Sequence, residues 1–242
     1  MRNHENRKVI ESGSANLEFM QYAVNYNLYL VSLLRKNLSS TDVILDFGAG
    51  TGEFALSLAK HGFNVSVLEV EPTLCSKLTK LGFNAYTMLA EIPDGSQSAI
   101  YSLNVLEHIK EDFETLKLLS TKLTPNGKLI LYLPAFKVLF SDMDERVGHY
   151  RRYNKRSLTK TLIDAGFEIE KIRYSDFLGF FATLIYKLVP NKDGTISIPL
   201  LRLYDSFVFP MNIIFDMLFH KFLGKNIFTI SHKVPEERSV QF

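Results

Sequence analysis

The amino-acid sequence predicts an α/β protein whose core is a mainly parallel sheet of seven strands with helices on both faces. Short apolar runs of strand length alternate with amphipathic helical stretches along most of the chain, and this alternation is typical of parallel sheets with crossover helices. One strand leads directly into a glycine-rich loop at 48–52 and then into a helix. The 242 residues, 46% hydrophobic and 22% charged, suit one globular domain and exclude a disordered chain.

The individual elements follow from hydrophobic periodicity and from turn residues at their ends. Runs of apolar residues predict seven strands at 43–47, 64–70, 83–88, 99–103, 128–133, 167–174 and 226–233. Apolar residues spaced three and four apart predict helices at 16–38, 72–81, 111–123 and 157–165, and one that follows the glycine loop and stops at Gly62. Turns are predicted at 93–96 and 125–127, where Pro, Asn, Asp and Gly cluster.

The segment 177–222 interrupts the alternation and carries eight of the nineteen phenylalanines, with a loop predicted at 191–194. We interpret it as a helical insertion that forms an apolar cap on the sheet, an acceptor pocket or an interfacial surface. Because the segment has no face rich in Lys and Arg, a pocket or a cap is favoured over a membrane anchor. The chain then divides into an N-terminal helical cap (1–40), a cofactor-binding core (41–175), this insertion as a substrate cap (176–225), and a last strand with a tail (226–242) whose end from 234 is expected to fray.

Charge and composition narrow the classes of partner and compartment. The 28 Lys and Arg against 26 Asp and Glu leave a net charge of +2, so nucleic acid is not an expected partner. The single Cys75 cannot form an internal disulfide, which favours a cytoplasmic protein. The polar N-terminus is unlike a secretory signal, and the longest apolar stretch, 177–189, is shorter than a spanning helix needs. We therefore predict no transmembrane segment and leave peripheral membrane contact and oligomeric state open.

The glycine loop is the first candidate binding site. Gly48, Gly50 and Gly52 allow a ligand to approach the backbone closely. A dinucleotide fingerprint would need a further glycine where the chain has Glu53, whose carboxylate would repel a pyrophosphate. Glu69, at the end of the next strand, can accept hydrogen bonds from a ribose, and Asp46 can complement a positive charge. These features favour a cationic adenosyl cofactor without phosphates; the alternative is that the glycines only form a tight turn and Glu69 is solvated.

The stretch Ile-Leu-Asp-Phe-Gly-Ala-Gly-Thr-Gly at 44–52, with Glu69 downstream, resembles motif I and the acidic loop of class I S-adenosylmethionine-dependent methyltransferases. The resemblance covers nearly the whole chain and continues through LNVLEHI at 103–109, LTPNGKL at 123–129, GHYRRY at 148–153 and DAGF at 164–167. Together these motifs are similar to a subfamily often found beside glycan- and lipid-modifying genes. The resemblance implies a Rossmann-like fold and S-adenosyl-L-methionine as cofactor.

By this resemblance, a set of residues along the carboxyl edge of the sheet is expected to hold the cofactor. Where the family commonly has an acidic residue that contacts the adenine amino group, this chain has Met88, so adenine recognition would fall to backbone around Met88 and Leu89 or to Glu91. Tyr26 is a candidate to close over the cofactor, although core packing is favoured for it. The predicted cofactor-binding residues are Asp46, Gly48, Ala49, Gly50, Gly52, Glu69, Val70, Met88, Leu89, Asn104 and Tyr26.

The predicted catalytic residues are His108, His149 and Glu107. A base is needed if the acceptor is a hydroxyl, and histidine suits neutral pH; which histidine acts stays open, as does the alternative that Glu107 and His108 only cap the following helix. The motif at 104–108 is similar to the E-x-x-E-H metal motif of ubiquinone-pathway and small-RNA methyltransferases, but Asn104 replaces the first carboxylate. That replacement lowers the expected affinity for Mg²⁺, and we predict no metal.

The predicted acceptor-binding residues are Tyr150, Arg151, Arg152 and Tyr153, which in the resembled family line the acceptor pocket. Paired arginine donors suit a planar anion such as carboxylate or phosphate; the alternative is that the arginines form ion pairs with Asp142, Asp144 and Glu145. We expect methyl transfer to a small-molecule, glycan or lipid-linked acceptor, at oxygen. A non-catalytic module that binds the same cofactor is the alternative, and a nicotinamide oxidoreductase is disfavoured by Glu53.

Overall fold

The computed structural model of the protein describes residues 21–188 and 197–235. Three sequence-based predictions therefore fall wholly or partly outside the described residues: the start of the first helix at 16–20, the loop at 191–194, and the tail beyond 235.

The core is one seven-stranded sheet, as predicted, with the strand order β3-β2-β1-β4-β5-β7-β6. Strands β1 to β5 run parallel to their neighbours, whereas β7 pairs antiparallel with both β5 and β6. The strands are β1 Val43–Phe47, β2 Asn64–Leu68, β3 Ala85–Tyr86, β4 Gln97–Leu103, β5 Leu123–Pro134, β6 Phe167–Ser175 and β7 Asn226–Lys233. The predicted turn at 125–127 lies inside β5, which stays paired on both sides of Asn126 at φ +60°.

Helices cover both faces of the sheet. They are α1 Val24–Asn37, α2 Glu53–Lys60, α3 Pro72–Lys80, α4 Asp112–Lys122, α5 Asp142–Arg146, α6 Lys155–Asp164, α7 Phe177–Leu188, α8 Ile198–Leu203 and α9 Phe209–Phe219. Leu34 of α1, Leu58 of α2 and Phe209 of α9 belong to the apolar cluster on one face. Leu116 of α4 and Leu158 of α6 belong to the cluster on the other.

The helical insertion contains a longer apolar helix than the sequence analysis predicted. A π-helical turn, Tyr204–Val208, joins α8 to α9, so that Ile198–Phe219 is one helix of 22 residues with a mean hydropathy of 1.3 over its most apolar window. This helix is long and apolar enough to cross a bilayer. Buried helices of globular proteins also meet this criterion of length and composition. Sequence reading missed it because Arg202, Asp205 and Asp216 interrupt the apolar run.

The topology places one crevice at the carboxyl edge of the sheet. β1 and β4 are parallel neighbours, and the helices that follow them, α2 and α4, pack on opposite faces. The chain therefore reverses its direction of winding between β1 and β4. Ligands of open α/β sheets bind at such a switch point, outside the carboxyl ends of the strands.

Candidate active site

The glycine loop lies directly at this crevice, as its sequence predicts. Gly48, Gly50 and Gly52 have φ of +82°, +55° and +80°, a region that favours glycine. A Cβ at Gly48 would meet Val105 Cγ2 at 2.5 Å, so the loop after β1 and the loop after β4 are in direct contact. The backbone N–H groups of Gly48 and Ala49 donate to the Leu68 carbonyl, at 2.9 and 3.0 Å, which ties the loop to the end of β2.

Glu69 is buried beneath the loop. Its Oε2 accepts from the Gly50 N–H at 2.7 Å and its Oε1 from the Glu71 N–H at 3.0 Å. The alternative of a solvated Glu69 is therefore not observed. Val70 and Met88 are exposed and Leu89 is half-buried.

Two other carboxylates near this edge accept hydrogen bonds from other residues of the protein. The Glu91 carboxylate accepts from the Thr87 N–H at 2.9 Å and from the Thr87 hydroxyl at 2.8 Å. Glu53, the first residue of α2, accepts from Asn27 Nδ2 at 3.2 Å. Its negative charge thus lies at the helix N-terminus where a dinucleotide pyrophosphate would bind, and opposes that ligand.

Asp46, the fourth residue of β1, is a buried acid with one oxygen unpartnered among the described residues. It is only 3% exposed, and its Oδ2 has no hydrogen-bond partner in the described part of the chain. Burial raises the pKa of Asp46 to about 7; the Tyr101 hydroxyl counteracts this, and the charge of Glu69 adds to it. A buried carboxylate in this state is stabilised by any cation placed beside it. Together Asp46, the glycine loop 48–52 and Glu69 are called the glycine-loop site below.

Asn104 follows β4 with a left-handed φ of +54°, which asparagine tolerates better than most residues. Its Nδ2 donates to the Tyr26 hydroxyl at 3.4 Å. Tyr26 is buried, and its ring packs edge-on against Tyr132 and Phe209, with centroids 6.1 and 5.5 Å apart. The predicted core packing of Tyr26 is thus observed, while its hydroxyl reaches the edge of the crevice.

The three predicted catalytic residues lie together. Their ligand-type atoms, one each from Glu107, His108 and His149, fall within 4.8 Å of one another, an arrangement that could also hold a metal ion. The His108 and His149 rings are edge-to-face at 4.5 Å. Burial, and then the charge of His149, lower the pKa of His108 to about 4. Its imidazole is therefore neutral at pH 7.

Glu107 is fully buried, and neither carboxyl oxygen has a hydrogen-bond partner among residues 21–188 and 197–235. Burial raises its pKa to about 8, so the group is mainly protonated at pH 7. The nearest cationic candidate is His149, whose Nε2 lies 3.8 Å from Glu107 Oε1. In its protonated form Glu107 can donate a hydrogen bond and carries no negative charge.

Sequence analysis missed the organising role of Asp144. His149 Nδ1 lies 2.7 Å from Asp144 Oδ1, and Arg152 binds both oxygens of the same carboxylate at 2.9 and 3.0 Å. Burial alone would raise the pKa of Asp144, but the hydrogen bonds from His149 and Arg152 outweigh it and lower the pKa to about 2. The sequence signals were the alternative pairing of the loop arginines with Asp142, Asp144 and Glu145, and the helix-capping pattern around α5, where Asp144 also accepts from the Ser141 N–H. We call Glu107, His108, Asp144 and His149 the histidine cluster.

The predicted acceptor loop runs beside the end of β5, where Ala135 and Tyr153 form a parallel bridge. Both arginines in it are paired internally: Arg152 with Asp144, as in the alternative prediction, and Arg151 with Asp112. The Tyr153 hydroxyl donates to Asp112 Oδ2 at 2.9 Å. In this structure each guanidinium group is engaged by a carboxylate, which helps to position the loop.

Tyr150 completes the loop. Its ring is exposed, and its backbone N–H donates to the Glu107 carbonyl at 2.8 Å.

Comparison with known proteins identifies the family of this chain. A model of the methyltransferase-domain family matches residues 17–172. The chain belongs to this family. No curated protein matches this methyltransferase-domain protein.

Solved structures share its fold at low sequence identity. A SAM-dependent methyltransferase from Thermotoga maritima has 15% identity and a TM-score of 0.61, and the match covers 90% of this chain and 95% of that one. One from Archaeoglobus fulgidus has 18% identity and a TM-score of 0.55 over 86% and 94%. Phosphoethanolamine N-methyltransferase 2 from Haemonchus contortus, in complex with S-adenosyl-L-methionine, has 16% identity and a TM-score of 0.56 over 88% and 53%. Such identities show the fold and leave the acceptor open.

Proposed function

We propose that this protein is an S-adenosyl-L-methionine-dependent methyltransferase that methylates a small-molecule, glycan or lipid-linked acceptor at oxygen. The observation that carries the proposal is the buried Asp46 carboxylate beside the glycine loop, whose Oδ2 has no hydrogen-bond partner among the described residues. A phosphate-bearing ligand would be repelled there, whereas a cationic nucleoside would relieve the cost of burying the charge. The free, buried Cys75 supports the cytoplasmic compartment that we propose for it.

The residues present fit this cofactor. The left-handed turn at Gly48, Gly50 and Gly52 would present backbone to its amino-acid end, and Glu69 would exchange the Gly50 N–H for ribose hydroxyls. Asn104 and Tyr26 border the crevice at the end of β4. Val70, Met88 and Leu89 are assigned to the adenine wall, where the engagement of Glu91 with Thr87 favours backbone recognition. When bound, the cofactor supplies an activated methyl group on its sulfonium.

We assign the role of base to His149 rather than His108. Asp144 holds His149 Nδ1 at 2.7 Å, which leaves Nε2 facing Glu107 and the interior of the site. A carboxylate at one ring nitrogen orients an imidazole and stabilises its protonated form. His149 Nε2 then takes the proton of the acceptor hydroxyl, while His108 stays neutral and Glu107 holds its own proton. Tyr150 is the exposed residue of the loop that would contact the acceptor.

The function is tested by calorimetry with S-adenosylhomocysteine and with NAD, followed by incubation with methyl-labelled cofactor and lipid or glycan extracts. We expect binding of S-adenosylhomocysteine, no binding of NAD, and transfer of label to an extractable product. If NAD binds and S-adenosylhomocysteine does not, the proposal is wrong. Tight binding without transfer of label to any extract would support the alternative, a non-catalytic module.

The assignment of the base is tested by His149→Ala and His108→Ala. Loss of a general base costs about 10²–10⁴ in rate, so we expect His149→Ala to lower kcat by at least about 100-fold with unchanged cofactor affinity. His108→Ala should lower it less. Equal activity of the wild type and the His149 variant would reject the assignment.

A further inference from the structure

The helical segment formed by α7, α8, the π turn and α9, called the C-terminal helical cap, carries three buried polar residues beside Phe209 on its inner side. Asp205, Asn212 and Asp216 lie along the long helix at spacings of seven and four, and all three are buried. Asp205 accepts from two N–H groups at the start of α1, at 2.8 and 2.9 Å. Asp216 accepts from the N–H groups of Asp176 and Phe177, both at 2.9 Å. These hydrogen bonds fasten the helix to the body of the protein.

The outer side of the same helix is apolar. An exposed stripe repeats at spacings of three and four along it, and Phe222 continues the stripe in the turn after α9. Its helical residues are Leu203, Phe207, Met211, Ile214 and Leu218. Phe207, Ile214 and Phe222 are 69%, 65% and 73% exposed. The neighbouring helix α7 adds Phe181, Ile185 and Leu188. An ordinary surface helix has the opposite arrangement, with apolar residues inward and polar residues in water.

The exposed charges of the described residues 176–188 and 197–225 all have one sign. Asp176, Asp205 and Asp216, the carboxylates of the described residues 176–188 and 197–225, are buried. The exposed charged residues of the same ranges are Lys187, Arg202 and Lys221, at the ends of the apolar stripes. A surface of apolar side chains bordered by cations is complementary to a bilayer with anionic headgroups. In a symmetric contact with a second copy, these cations would face one another or leave the apolar stripe unmatched.

We propose that the outer face of the C-terminal helical cap docks on the surface of a membrane that carries anionic lipids. The long helix, about 33 Å at 1.5 Å per residue, lies along the surface instead of crossing it, because Asp205, Asn212 and Asp216 hold its inner side against the sheet and α1. A spanning orientation would expose these polar groups to hydrocarbon. Docking in this way would bring an acceptor carried by a lipid to the protein, and it does not depend on methyl transfer.

The experiment is vesicle flotation of the full chain with phosphatidylcholine alone and with phosphatidylcholine mixed with phosphatidylglycerol. We expect binding to both, stronger with the anionic lipid by about fivefold for each cation that contacts headgroups. The variant Ile214→Glu/Leu218→Glu should lower the partition coefficient at least about tenfold, since it places two charges in the apolar stripe. Because both positions are exposed, its thermal unfolding should match the wild type.

The matched control is Ile163→Glu. Ile163 is 57% exposed on α6, which packs on the other face of the sheet, and its replacement should leave vesicle binding unchanged. Equal loss in both variants, or no binding of the wild type to either vesicle, overturns the proposal. The proposal is also overturned if light scattering without lipid shows a wild-type dimer, the double variant is a monomer, and vesicles bind neither protein. Arg202→Glu/Lys221→Glu should remove the preference for anionic lipid; a preference that persists would reject the assigned cations.

Discussion

The glycine-loop site and the histidine cluster both contain a buried carboxyl group with at least one oxygen that has no hydrogen-bond partner among the described residues, yet they are built differently. Asp46 lies within six residues of the three loop glycines, while Glu69 follows β2 and Tyr101 comes from β4. Glu107 depends on a loop more than forty residues away, which Asp144 and Arg152 hold in place. Local backbone geometry therefore forms the first site, and a long-range ionic network forms the second. Substitutions should affect the two sites independently.

The largest effect is expected from Asp144→Asn, which leaves Arg152 buried and unpaired and releases His149. Breaking a buried ion pair from one side costs about 3 kcal/mol or more of unfolding free energy. We expect a lower Tm and a fall in kcat, with S-adenosylhomocysteine affinity in calorimetry nearly unchanged. Asp142→Asn, an exposed position on the same helix, is the control. A matching loss of cofactor affinity would show that the two sites are not independent.

Next in size is Gly48→Ala, which should weaken the glycine-loop site and spare the histidine cluster. The new Cβ would lie 2.5 Å from Val105 Cγ2 at a φ of +82°, and overpacking of this kind costs about 2 kcal/mol. Gly62→Ala has the same backbone strain, φ +83°, but no atom within 4 Å, so the difference in Tm between the variants isolates the steric overlap. Equal Tm values would contradict the close contact. Calorimetry should show weaker cofactor binding only for Gly48→Ala.

A smaller effect is expected from pH. Because the pKa of Asp46 is raised to about 7, the carboxyl is mostly neutral at pH 6 and mostly ionised at pH 8, so attraction for a cation grows as pH rises through 7. The affinity for S-adenosylmethionine relative to the uncharged S-adenosylhomocysteine should increase about tenfold over this range. Asp46→Asn should abolish the pH dependence. A flat ratio in the wild type would show that Asp46 does not face the sulfonium.

The smallest effect is expected from metal removal. Glu107 is mainly protonated at pH 7 and Asn104 stands where a second carboxylate would be, so the histidine cluster is a weak site for a hard cation such as Mg²⁺. Treatment with EDTA should leave activity and Tm unchanged. If EDTA removes activity, Mn²⁺ or Zn²⁺ restores it, and His149→Ala prevents the restoration, the cluster is instead a metal site.

Sequence patterns predicted the strands and the glycine loop well because these depend on near neighbours. β1 and β7 have the predicted bounds, and Gly48, Gly50 and Gly52 take the expected left-handed conformations. Sequence patterns do not show which side chains pair in the folded chain. Arg152 was expected either to bind an anion of the acceptor or to pair with a nearby acidic residue, and its carboxylate partner is Asp144. The helix 198–219 was missed because its carboxylates read as breaks in an apolar run, although they bind backbone N–H groups of α1 and of the β6–α7 junction.

By itself, the sequence determined the α/β class, the strand positions, the glycine loop and its family, because periodicity and glycine conformation are local properties of the chain. Only the tertiary structure decided which groups are buried without partners, which histidine has a carboxylate behind it, and which side of the long helix faces outward. Those properties depend on the solvent and charge around each side chain, which residues distant in sequence supply when the chain folds.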